Sequence, residues 1–93
     1  MDELVRVLAP DELSAITLVQ EAIGVFRPEL VEFSEDSWEV RFHADRPLPD
    51  LRDDVVELVR QWLARSEIPF TVVETAGEPE LVSGQPRLRL VTR

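Results

Sequence analysis

Ninety-three residues suffice for one domain around one core, and a hydrophobic fraction of 44% argues against wholesale disorder. A net charge of −9, from 19 acids against 10 bases, opposes general nucleic-acid binding and docking on anionic membranes. The absence of cysteine excludes disulfides, thiolate metal sites and cysteine nucleophiles.

LVRVLA, residues 4–9, is short and β-branched and reads as a first strand. Pro10, Asp11 and Glu12 suit the first turn of a helix. Ala15, Leu18, Val19, Ala22, Ile23 and Phe26 then recur at helical spacing, so a helix is expected over 10–24 with Gly24 as its stop. ELVEFS, 29–34, and SWEVRFHA, 37–44, flank a polar turn and predict a hairpin of strands two and three. Two prolines in DRPLPD break the chain. Asp50 then reads as a helix cap, with Asp53 three residues on as in a capping box. Leu51, Val55, Leu58 and Trp62, widened by Val59 and Leu63, predict a second helix ending near Ser66. IPFTVVE, 68–74, reads as strand four, TAGEPELVSGQP, 75–86, as a loop, and RLRLVT, 87–92, as a fifth strand.

The order β-α-β-β-α-β plus a last strand predicts a single α+β domain over residues 1–93. The expected architecture is a ferredoxin-like sandwich with two helices on one face of an antiparallel sheet. The last strand can extend the sheet beside strand four or pair at the opposite edge.

SWEVRFHA raises the functional question. Trp38, Val40 and Phe42 form a core face, joined by Val5 and Val7, Val31 and Phe33, Phe70 and Val72, and Leu88 and Leu90. The outward set then holds Arg6, Glu32, Glu39, Arg41, His43, Arg87 and Arg89, a net +2 in a chain of −9, with Leu4, Leu8, Leu30, Thr71 and Val73 among them. A mixed apolar and arginine surface resembles a protein interface. The expected function is therefore a small acidic, non-enzymatic interaction or regulatory module. Arg6, Arg41, His43, Arg87, Arg89 and Glu39 are its contact residues, towards a protein partner or a second copy of the chain as a homodimer. A solvated face with cross-strand Arg–Glu pairs is the plain alternative.

No catalytic constellation appears. His43 is the only histidine and with Asp45 supplies two metal ligands where a stable site needs three or four, so neither metal nor cofactor is expected. Strand three turns no aromatic outward for stacking bases, so nucleic acid is not an expected partner. The alternative function is a small-molecule sensor or cofactor-free enzyme with a pocket between sheet and helices, lined by Trp38 and Trp62. No apolar run approaches the ~20 residues that span a bilayer, and MDELVRVLAP has no basic, apolar secretory pattern. A cytoplasmic protein without membrane attachment is expected. All ten bases are arginine, while lysine, asparagine and tyrosine, whose codons are AT-rich, are missing; that bias suggests a GC-rich bacterial genome.

Overall fold

A computed structural model describes residues 4–35 and 37–84, Phe33 by its backbone alone. The elements run β1 (Leu4–Ala9), α1 (Glu12–Ala22), β2 (Pro28–Ser34), β3 (Ser37–His43), α2 (Leu48–Ser66), β4 (Phe70–Thr75) and β5 (Glu78–Ser83). The fold is α+β. The five strands make one antiparallel sheet in the order β2-β3-β1-β4-β5. Helix α1 lies over the β2, β3 and β1 half, and α2 over the β1, β4 and β5 half.

Alternation decides which way β1 and β3 face. Val5, Val7 and Ala9 are buried beneath the helices, as are Val40 and Phe42, while Arg6 and Leu8 point away. Helix α1 contributes Ala15, Leu18 and Ala22 to this core, and α2 contributes Leu51, Val55, Val56, Val59, Trp62 and Leu63. Phe26 closes one end, meeting Phe42 edge to face at 5.5 Å between ring centroids.

Local chemistry moves the helix ends from their expected places. Asp11 is the N-cap of α1, its carboxylate accepting from the Ser14 amide at 2.7 Å, so Pro10 precedes the helix instead of opening it. The helix ends at Ala22, and Ile23 lies beyond it in solvent instead of on the buried stripe. Helix α2 starts at Leu48 with Pro47 at the cap and no side-chain cap bond. Asp50 therefore sits in the first turn, where its charge suits the positive end of the dipole, and does not cap the helix.

The segment expected to be a loop holds a strand. Ala76 and Gly77, at φ 53° and 82°, form a two-residue left-handed turn between the paired residues Thr75 and Glu78. Pro79 is tolerated because β5 is an edge strand. At its end Gly84 is pressed against α2: a Cβ there would collide with the Leu63 Cβ. The last described strand thus lies beside β4, and the strand expected over 87–92 lies outside the described residues. Alanine pays for left-handed φ where asparagine is at ease. Ala76→Asn is expected to stabilise the protein by about 0.5–1 kcal/mol in urea unfolding. A loss of stability would contradict the turn.

Two strands face opposite to expectation. The pairings Val5↔Thr75 and Val7↔Val73 turn Val73 and Thr71 to the helices and leave Phe70 and Val72 outside. Buried Thr71 is satisfied there, its hydroxyl donating to the Leu8 carbonyl. On β2, Leu30↔Val40 and Val31↔Glu39 put Leu30 on the helix side and Val31 on the open side. The ladder with β1 or β3 fixes these faces, because β4 and β2 are apolar on both sides. Phe33 lies at a register shift between Glu32 and Ser34, and its side chain is outside the description.

Candidate functional site

The helix-free face of the sheet carries two bands. The first is charged. The pairings Glu29↔Arg41, Arg41↔Arg6 and Arg6↔Glu74 set four ionised side chains in a row across β2, β3, β1 and β4. Directly opposed like charges are unfavourable on a sheet, and each arginine is relieved by a carboxylate. Arg41 Nε donates to Glu39 Oε1 at 2.8 Å, and Arg6 Nη1 reaches Glu74 Oε1 at 3.4 Å. The bond to Glu39 raises the Arg41 guanidinium above its ordinary pKa, against an opposing effect of burial. His43 Nε2 lies 2.8 Å from Glu29 Oε1.

The second band is apolar. Val31 and Leu8 flank Glu39 from either side, and Val72 opposes Leu81 across β4 and β5. Phe70 stands next along β4. Leu8 is 38% exposed, Phe70 56% and Leu81 67%. A cleft of about 320 Å³ opens at this end, lined by Leu8, Pro10, Ser37, Phe70 and Val72 among others.

The expected charge excess on this face is not found among the described residues. The described part of the face holds Arg6 and Arg41 against Glu29, Glu39 and Glu74, a net −1; Arg87 and Arg89, which supplied the expected +2, lie outside the described residues, and turning β2 and β4 over adds only the charge of Glu74. Arg6, Arg41 and His43 come together on it as expected. Glu39 joins them but is only 4% exposed, so its carboxylate serves Arg41 within the chain. Phe70, Val72, Leu81, Glu29 and Glu74 are members that sequence reasoning did not place here. For Leu81 the signal was the Ala-Gly pair followed by an alternating segment, the mark of a two-residue hairpin.

Other candidate residues sit elsewhere. Trp62 is fully buried and its indole Nε1 donates to the Ser14 carbonyl at 3.0 Å, while Trp38 is half-buried against the core. Neither lines the 320 Å³ cleft or a second one, of about 430 Å³, between the start of α2 and the β4–β5 turn. In that second cleft Arg52 is bound to Asp53 at 2.8 Å and Glu80 at 2.6 Å, so its charge is already matched. Asp45 is held by Arg46 at 2.6 Å, which keeps its carboxyl below the usual carboxylate range. Among the described residues no three metal-ligating side chains gather, and no helix is long and apolar enough to cross a membrane.

No family model, curated protein or solved structure matches the chain.

Proposed function

We propose that this domain is a non-enzymatic protein-interaction or regulatory module that works through the helix-free face of its sheet. The observation carrying this reading is the exposed apolar band, with Phe70 56% and Leu81 67% accessible beside Leu8 and Val72. Solvated sheet faces favour polar residues, and an apolar cluster rimmed by charge marks a contact surface. Set apart from β5, the order β2-β3-β1-β4 under two helices is the arrangement we read as a ferredoxin-like sandwich with an added edge strand. Its open face is then a broad sheet surface that neither α1 nor α2 covers among the described residues. A pocket between Trp38 and Trp62 has less support, since Trp62 is closed in by packing and by its bond to Ser14.

Phe70→Glu and Leu81→Glu test this, because both side chains already meet water and the fold should survive. Proteins captured from a native lysate by the wild type are expected to be recovered at least ~10-fold less by either variant. Equal recovery, with unchanged circular dichroism, would mean that the face is merely solvated.

A further inference from the structure

We infer that the occupant of this face is a second copy of the same chain, stacked sheet to sheet about a two-fold axis that runs along the strands between β1 and β4. This inference rests on the interaction-module reading and names its partner.

The charges of the face select the partner. Among the described residues, an acidic protein would meet Glu29 and Glu74, and a basic one would meet Arg6 and Arg41. A surface with both signs in near balance complements itself, as an isologous interface requires. The position of the axis follows from where the apolar residues lie. Apart from Val31 on β2, the apolar band (Leu8, Val72, Phe70 and Leu81) belongs to β1, β4 and β5, whereas β3 contributes Glu39, Arg41 and His43 to the face. An axis between β1 and β4 lays these two strands over each other and sets β5 over β3, so that Leu81 of each copy meets the other beside Glu39. It lays Leu8 of each copy over Val72 of the other, because these two neighbours line one cleft. It also lays Arg6 over Glu74 of the other copy, because these two are paired in register on the same two strands. The 3.4 Å contact between them is the longest of the described ion pairs, so exchanging it for a contact between copies sacrifices little. About this axis four strands of about six residues overlap, a footprint of roughly 20 Å by 19 Å.

Sedimentation equilibrium of the purified chain provides the test. The wild type is expected to be a dimer at micromolar concentration. Phe70→Glu and Leu81→Glu are each expected to weaken it by at least ~100-fold, since each would bury an unmatched carboxylate. Arg6→Glu and Glu74→Arg should each be monomeric alone, and their equimolar mixture should dimerise, because only the mixed pair places opposite charges over one another at both contacts. A wild type that stays monomeric at millimolar concentration overturns the inference. So does a dimer indifferent to all four substitutions. If the monomeric wild type still captures a protein that Leu81→Glu does not, only the second copy is wrong and the module reading survives. If capture too is unchanged, both fail. Removal of residues 85–93 covers one more occupant: a monomer that dimerises only after this removal would show its own tail on the face and overturn the inference.

Discussion

Trp62→Ala is expected to destabilise the protein by about 3–5 kcal/mol. Trp62 projects from α2 into the space between the helices and the sheet and has no exposed surface. Truncation removes the largest fully buried side chain of the described chain and leaves a cavity that the surrounding core cannot fill without moving. It also deprives the Ser14 carbonyl of the indole donor, which ties α1 to α2. A domain of this size is stable by only ~5–14 kcal/mol, so the variant should unfold at much lower urea concentration. Trp38 remains as a fluorescent reporter of the transition. Trp62→Phe keeps most of the volume and removes the hydrogen bond, and should cost about 1 kcal/mol. A loss below about 1 kcal/mol for Trp62→Ala would move this ring out of the core and contradict the packing described.

Arg41→Met should cost about 2 kcal/mol, and the cost should disappear when Glu39 is replaced as well. Glu39 is 4% exposed and its described cationic contact is Arg41 Nε at 2.8 Å. Removing the cation leaves a sheltered carboxylate beside Leu8 and Val31, its register neighbours. Arg41→Met/Glu39→Leu replaces both partners by apolar groups, and should match or exceed wild-type stability. A double-mutant cycle in urea measures the coupling directly. Additive losses would show that the pair stands in open water, where such pairs contribute little. The same geometry makes Arg41→Glu a poor probe of binding, because it opposes a second carboxylate to Glu39 within the chain.

Most of the architecture was legible from periodicity. β3 has one apolar and one polar side, and in β1 Arg6 alone marks the side opposite Val5, Val7 and Ala9, so their facing follows from alternation. Helix α2 declares itself through Leu51, Val55, Val59 and Trp62. The candidate face was legible only where the strands were one-sided. FTVV in β4 and ELV in β2 are apolar on both sides, and a period of two cannot choose between equal faces. Their facing was settled by ladders to strands distant in sequence, Val7 with Val73 and Leu30 with Val40. That reversal exchanged Thr71 and Val73 for Phe70, Val72 and Glu74, which adds one negative charge and two large apolar side chains to the face. β5 was hidden for another reason. Pro79, Gly77 and Gly84 carry the composition of a loop, yet a proline is harmless on an edge strand and the Ala76–Gly77 pair turns the chain tightly.

The most direct measurement is hydroxyl-radical footprinting of the wild type across a range of its own concentration. Phe70 and Leu81 report on the open face, and Leu13 and Ile23, 74% and 65% exposed at the two ends of α1, serve as internal controls. The predicted result is that oxidation of Phe70 and Leu81 falls as the concentration rises through the dimerisation range, while Leu13 and Ile23 react at constant rates. Constant reactivity at Phe70 and Leu81, or protection that appears at Leu13 and Ile23 instead, would contradict a contact between copies through the helix-free face.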